Sequence, residues 1–385
     1  MPDYEHIDTK LIHAGEPAPR IAGSVVTPIF QTAMFETASE DEEYHDIKYI
    51  RLNNMPNHVV LHDKLAALEN AEAGLVTASG MAAISTALMT ALSAGDHMLI
   101  QNCVYGGTHD LITADFPAMG IEVDFIDGAD PASWESKLKP NTKVIYVESI
   151  SNPMMGVSDL RAVADFAKAH GLVSMIDNTF TSPINFRPAE WGFDLSLHSA
   201  TKYLNGHSDL VAGVAIGRAD LVEQVRHKLN HLGATLDPHA CFLLHRGIKT
   251  LGVRMRQHNQ SALAIARALD ANDAVTSVNY PGLESSPEHA RAMEYFNGCS
   301  GMLSFELAGG QAAAAKLLER AYIPLIAPSL GGVDSLLTRP ARTSHRGMSQ
   351  AARDALGITD GLVRMSVGIE STDELIADLT QAIEG

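Results

Sequence analysis

The 385-residue sequence predicts an α/β protein: a mostly parallel central sheet with helices on both faces, a smaller C-terminal α+β unit and an N-terminal arm. Three observations predict it. Short apolar runs recur at Met98-Leu99-Ile100, Val123-Asp124-Phe125-Ile126, Val144-Ile145-Tyr146-Val147 and Leu172 to Ile176, each with the length and composition of a buried strand. Helical patterns alternate with them, which implies parallel strands covered on both sides. After Gly247 the pattern changes to longer Ala- and Leu-rich helices with scattered strand-like runs.

Up to about Asn57, Pro2, Pro17, Pro19, Pro28 and Pro56 interrupt any regular element, so residues 1–57 read as an extended arm. Leu61, Leu65 and Leu68 then share one helical face and open a body spanning 58–247. From Ala73 to Gly95 no side chain is charged, a length that would suit a membrane span. The segment is rich in Ala, Ser, Thr and Gly, so it reads as a loop plus a buried helix. Leu160, Val163, Ala164 and Ala167 mark a helix with Ser158 as N-cap and Gly171 as its stop. The final unit, 248–385, opens on a long helix from Ile248 to Leu269. Strand-like runs follow at Ser277-Val278-Asn279, Met302 to Leu307 and Leu362 to Ile369.

A formal net charge of -18 argues against a nucleic-acid partner. The acidic cluster Glu40, Asp41, Glu42, Glu43 reads as a solvated loop. Cys103, Cys241 and Cys299 lie too far apart for a metal site or a disulfide framework, which suits a reducing, cytoplasmic setting. The N-terminal residues lack the basic and apolar regions of a signal peptide. No His-Glu-x-x-His, nucleophile elbow or strand-linked Gly-x-Gly-x-x-Gly is present, so zinc hydrolysis, that serine-type chemistry and dinucleotide binding are unsupported.

The most informative segment is Leu197-His198-Ser199-Ala200-Thr201-Lys202-Tyr203. A lysine among small hydroxyl residues, just after a strand, suits pyridoxal phosphate (PLP): the amine forms an imine and the hydroxyls bind phosphate. Asp177 ends an apolar strand in Met175-Ile176-Asp177-Asn178-Thr179, where a carboxylate can pair with the pyridine nitrogen. Thr77-Ala78-Ser79-Gly80-Met81 is a small-residue turn opening a helix whose N–H groups favour phosphate. Tyr105, before Gly106-Gly107, is placed to stack on a ring. Arg364, alone in an apolar strand, needs an anion: a structural acid or a substrate carboxylate. Each piece alone has a bland reading, such as a helix cap, a core tyrosine or tight packing. Their conjunction carries the weight.

In order along the chain these segments resemble the Cys/Met-metabolism PLP enzymes, the group of cystathionine γ-synthase, cystathionine γ- and β-lyases, methionine γ-lyase and the homoserine-ester sulfhydrylases. Further matches are Tyr105-Gly106-Gly107-Thr108, Gly206-His207-Ser208-Asp209, Arg246 to Leu251, Ser329-Leu330-Gly331-Gly332 and Arg364 to Gly368. The resemblance implies PLP fold type I, with Lys202 as Schiff-base lysine and proton carrier and Asp177 as pyridinium partner. It implies that Ser79, Gly80, Met81, Ser199 and Thr201 hold the phosphate and that Tyr105 stacks and acts as a second acid/base group. Arg364, with Asn152 and Ser329, would hold the substrate α-carboxylate. Lys48-Tyr49-Ile50-Arg51 resembles the arm through which Tyr49 and Arg51 complete a neighbouring subunit's site, implying a dimer with shared sites, paired into a tetramer.

Departures from the family pattern bear on specificity. Gly107 stands where methionine γ-lyases usually have Cys, Pro328 where cystathionine γ-lyases and γ-synthases usually have Glu, and Lys48 where an acid is frequent. Lys48 and Arg342 would suit an anionic distal group, or else be plain surface charges. Leu330, in place of the Trp of bacterial β-lyases, favours γ-chemistry. The resemblance thus implies γ-elimination of a thiol or oxygen-linked group, from cystathionine, methionine or an O-substituted homoserine analogue, canavanine included. γ-Replacement is the alternative and β-elimination the third reading. An aminotransferase of the same fold and a non-catalytic PLP-binding protein are the readings from other classes.

Overall fold

The computed structural model describes residues 4–37, 39, 41 and 47–385. Glu40, Glu42 and Glu43 of the acidic cluster lie outside the described residues, as do residues 1–3; Asp41 is exposed. The first sheet has seven strands: β1 (Ala73–Thr77), β2 (His97–Gln101), β3 (Glu122–Ile126), β4 (Thr142–Glu148), β5 (Val173–Asp177), β6 (Leu195–Ser199) and β7 (Gly213–Gly217). Their order is β1-β7-β6-β5-β4-β2-β3. β2 to β6 pair in parallel, while β7 runs antiparallel to both β6 and β1.

Buried side chains form a layer on each face. Leu99, Ile145, Val147 and Ile176 pack one way, whereas Met98, Ile100, Val144 and Met175 pack the other, the alternation that a doubly covered sheet imposes. The second sheet comprises β8 (Val275–Asn279), β9 (Met302–Leu307), β10 (Leu325–Ile326), β11 (Leu336–Thr338) and β12 (Val363–Ser366), ordered β10-β11-β12-β9-β8 and mostly antiparallel.

Four expectations are corrected. The stretch from Ala73 is a strand before it is a helix: β1 leads into α3 (Gly80–Ala91), and its Ala-Gly start hid the pattern. The arm contains a helix, α1 (Ile7–His13), ahead of α2 (Pro56–Glu69). Leu11 of α1 is buried, and its carbonyl accepts from Lys64 Nζ of α2 at 3.1 Å. Glu16, just beyond α1, is buried against His245 at 2.9 Å and Lys249 at 3.0 Å; burial raises its carboxyl, but the hydrogen bonds and charges of these two partners together hold it far below the usual range.

Helix Leu160–His170 is capped by Asp159 rather than Ser158, because the Asp159 carboxylate reaches the Ala162 N–H at 3.0 Å. Gly171, at φ 64°, ends it as expected. The long helix expected from Ile248 to Leu269 is present as Leu251–Asp270, and only its start is corrected: Ile248 ends a separate preceding helix, Pro238–Ile248. Arg254 spans the junction. Its guanidinium donates to the Gly247 carbonyl (2.9 Å), near the end of the first helix, and to the Tyr203 carbonyl (2.8 Å) in the segment after β6.

Candidate active site

Parallel strands release their loops at the same sheet edge, and the loops after β2, β4, β5 and β6 surround one cavity of about 790 Å³. The cavity brings together Ser79, Gly80, Met81, Tyr105, Asn152, Asp177, Ser199, Thr201, Lys202, Ser329 and Arg364. Its remaining wall is largely apolar, with Ile84, Phe180, Val211 and Leu330.

One end is a cradle for an anion. Ser79 caps α3 by accepting from Ala82 N–H at 3.0 Å, which leaves the first helical N–H groups directed at the cavity. Gly80 is required there: a Cβ would lie 2.8 Å from Ser199 Cβ and 2.9 Å from Ser199 Cα. Thr179 Oγ1 accepts from Ser199 N–H at 2.8 Å, and Thr201 Oγ1 accepts from Ala212 N–H at 3.1 Å, fixing the strand end that faces the helix.

At the centre, Lys202 follows β6 and donates from Nζ to Ser329 Oγ at 2.6 Å. Burial, with a lesser push from Arg364, lowers its amine to about 8, so a neutral nucleophile forms far more readily than on an exposed lysine. Asp177 ends β5 and is buried, one oxygen accepting from Thr179 N–H at 2.9 Å. Among the described residues no cation pairs with it within 4 Å. Burial raises its pKa, and the Thr179 contacts work against that rise. A buried carboxylate at that depth is matched to a cation that the chain does not itself supply.

The third group belongs to the second sheet. Arg364 on β12 donates from one terminal nitrogen to Asn152 Oδ1 and from the other to the Ser329 carbonyl, both at 3.0 Å. No carboxylate pairs with it among the described residues, and its Nε has no partner. Burial lowers its pKa to about 10, so it remains a cation at neutral pH. Ser329, which joins Lys202 to Arg364, has φ 92°, a left-handed conformation rare for a residue with a Cβ.

Not every predicted residue lies in this cavity. Tyr49 and Arg51 line no part of it; Arg51 donates to the Asn230 carbonyl at 3.0 Å and lies over the Tyr49 ring. Lys48 is exposed above Phe35. Arg342 is exposed and outside the lining, and Arg339 is occupied with the Asp360 carbonyl. Sequence reasoning missed Glu148, Asp110, Thr343 and Ser344, all in the lining. Glu148 carries the signal that found Asp177, a carboxylate closing an apolar strand run. Ser344 is brought in by a loop far along the chain, which no local pattern reveals.

An amine of lowered pKa, a buried acid and a guanidinium that each lack a counter-ion among the described residues, and an anion cradle at the start of α3 fit the four functional parts of PLP and its amino-acid substrate. Fold and cavity together define a PLP enzyme of fold type I. A model of the family "Cys/Met metabolism PLP-dependent enzyme" matches residues 8–384, and the chain belongs to that family. It is similar to a cystathionine beta-lyase of Coxiella burnetii (39% identity, 98% of each chain) and a cystathionine gamma-lyase of Bacillus subtilis (40%, 98% of each). Among solved structures, cystathionine gamma-lyase from Lactobacillus plantarum complexed with L-serine superposes with a TM-score of 0.94 at 37% identity, covering 99% of both chains.

Proposed function

We propose that this PLP enzyme is a lyase that eliminates a γ-substituent, a thiol or an oxygen-linked group, from an amino acid such as cystathionine, methionine or an O-substituted homoserine analogue, canavanine among them. The observation that carries the reading is the placement of Lys202 and Arg364 on the same residue, Ser329. A substrate whose carboxylate is held by Arg364 and Asn152 has its Cα beside the lysine amine. Bound PLP supplies the electron sink for charge left at Cα.

The chain's residues do the rest. With PLP bound, Asp177 would keep the ring nitrogen protonated and Tyr105 would cover a ring face. Ser79, Gly80, Met81, Ser199 and Thr201 would hold the phosphate. Lys202 takes the Cα proton and then a Cβ proton, which lets the γ-substituent leave with the electrons of its bond to Cγ, and as a single mobile amine it returns protons to the leaving group and to Cγ. Phe180, Val211 and Leu330 limit water around these transfers. Leu330, where bacterial β-lyases carry a tryptophan, leaves room for the longer reach to Cγ. The same residues would serve γ-replacement by a thiol, and the likeness to a cystathionine beta-lyase keeps β-elimination as a reading to be tested.

We further propose a dimer with shared sites, paired into a tetramer, in which Tyr49 and Arg51 complete the partner's phosphate site. Their absence from the lining of their own cavity supports it. Lys48, on the same arm, and Arg342, near the mouth, would then meet the distal end of the substrate.

Mass-spectrometric product analysis of the PLP-loaded protein decides the reaction. The panel holds cystathionine, methionine, canavanine and O-acyl and O-phospho homoserines, each with and without a thiol. The expected result is 2-oxobutyrate or homoserine without added thiol. Thioether formed only with the thiol would establish γ-replacement instead, and pyruvate from cystathionine would establish β-elimination.

A further inference from the structure

Glu148 takes no part in the roles above, yet it stands at their meeting point. It is the last residue of β4, and its neighbour in register on β5 is Asp177. Its side chain is buried, lines the cavity and accepts from the Tyr105 backbone N–H at 2.6 Å. The Asn152 backbone also donates toward it. Its own N–H donates to Gln101 Oε1 at 2.9 Å, which fixes the strand end from the β2 side. No lysine, arginine or histidine pairs with it among the described residues.

A buried carboxyl without a cation is costly unless it has structural work that a smaller or apolar residue cannot do. Here the work is visible. Tyr105 is the N-cap of the short helix α4 (Gly106–Asp110), and while its carbonyl accepts from His109 within that turn, its N–H ties it to the sheet through Glu148. Asn152 in turn directs Arg364. We infer, on the reading that this cavity holds PLP, that Glu148 is a positioning residue. Its one carboxyl group ties the ring-stacking loop of Tyr105 and the carboxylate-gripping loop of Asn152 to the strand end beside Asp177.

The charge balance supports this. Burial, and then the proximity of Asp177, push the Glu148 carboxyl well up, while Thr179 donates to Asp177 and stabilises its charge. Both carboxyls are thus raised by burial, and holding two N–H donors requires only a neutral acceptor at Glu148. A second anion there would compete for the ring cation. A neutral acid does not, yet still accepts hydrogen bonds.

The test uses the full chain as apoprotein, titrated with PLP and followed by visible absorbance and circular dichroism, with KM and kcat measured on any amino acid that the wild type turns over. Glu148→Met keeps the volume and removes the acceptor. It is expected to weaken PLP binding roughly tenfold or more, to shrink the dichroic band of the bound ring and to raise KM, since two buried N–H groups lose their partner. Glu148→Gln keeps a neutral acceptor and is expected to recover the dichroic band and most of the affinity.

The inference fails if Glu148→Met keeps wild-type dichroism, PLP affinity and KM. It also fails if Glu148→Gln is as impaired as Glu148→Met while both melt near the wild type, because charge rather than the neutral acceptor would then matter. If the wild type itself takes up no PLP, the underlying cofactor reading fails instead, which is a separate outcome.

Discussion

Lys202 shows how burial converts an ordinary side chain into a reagent. Its amine falls from 10.5 to about 8 in the folded chain. Between those values the unfolded chain binds more protons, so the stability of the cofactor-free protein rises with pH in that window. Below about pH 8 the lysine is protonated in both states and the penalty is present in full, on the order of 3 kcal/mol. Lys202→Met is therefore expected to abolish turnover and yet make the apoprotein more stable at pH 7, the gap closing as pH rises toward 10.5. Chemical denaturation across that range checks it; a destabilised variant at pH 7 would contradict the account. Lys202 and Asp177 were legible because each follows a recognisable apolar run. Ser329 was legible only through family resemblance, since its left-handed backbone and its double role arise from two distant segments meeting.

Among the elements, the junction of α3 with β6 forms the proposed phosphate end. Gly80 touches Ser199 so closely that Gly80→Ala forces helix and strand apart, an overpacking cost of about 1–3 kcal/mol. The expected result is a lower melting temperature together with a loss of PLP affinity of roughly tenfold or more. Melting curves with and without PLP read both; an unchanged affinity would show that the cradle is not the phosphate site. Strands β2 to β5 stood out as runs of large apolar residues, and β6 was read only as the strand before Lys202. β1 and β7 did not, because Ala73-Gly74 and Gly213-Val214-Ala215 use small residues to let other backbone approach: a Cβ on Gly213 would lie 2.1 Å from the Ser79 carbonyl. Residues that serve closeness leave little hydrophobic signal.

For the whole molecule we propose the division at 57 and 247 into arm, PLP-binding body and C-terminal unit. The arm is anchored at one end by α1 and the buried Glu16 contacts. Tyr49 and Arg51, farther along the arm, lie outside the lining of their own cavity. If they complete a partner's site, Arg51→Ala weakens PLP retention, and mixing it with Lys202→Ala restores activity, because hybrid dimers contain one site with both residues intact. Subunit exchange without recovered activity would refute sharing. No helix among the described residues is long and apolar enough to cross a membrane, which agrees with reading Ala73 to Gly95 as part of a folded core. The alternation of strands and helices made the first sheet foreseeable. The second sheet was seen only as scattered runs, because β10 and β11 are two and three residues long and carry no period.

The position of β7 has a consequence for how the chain emerges from a ribosome. β1 lies at the sheet edge, and among the described residues its only strand neighbour is β7, which is made last of the seven. Until residue 217 has left the exit tunnel, β1 has no strand to join. The helix that β1 launches, α3, stays unanchored on that side. Strands β2 to β5 can assemble in order of synthesis, but the phosphate cradle closes only when β7 slides between β6 and β1. Vectorial synthesis therefore delays the cofactor: the nascent chain presents Asp177 and even Lys202 well before it has a finished place to hold PLP.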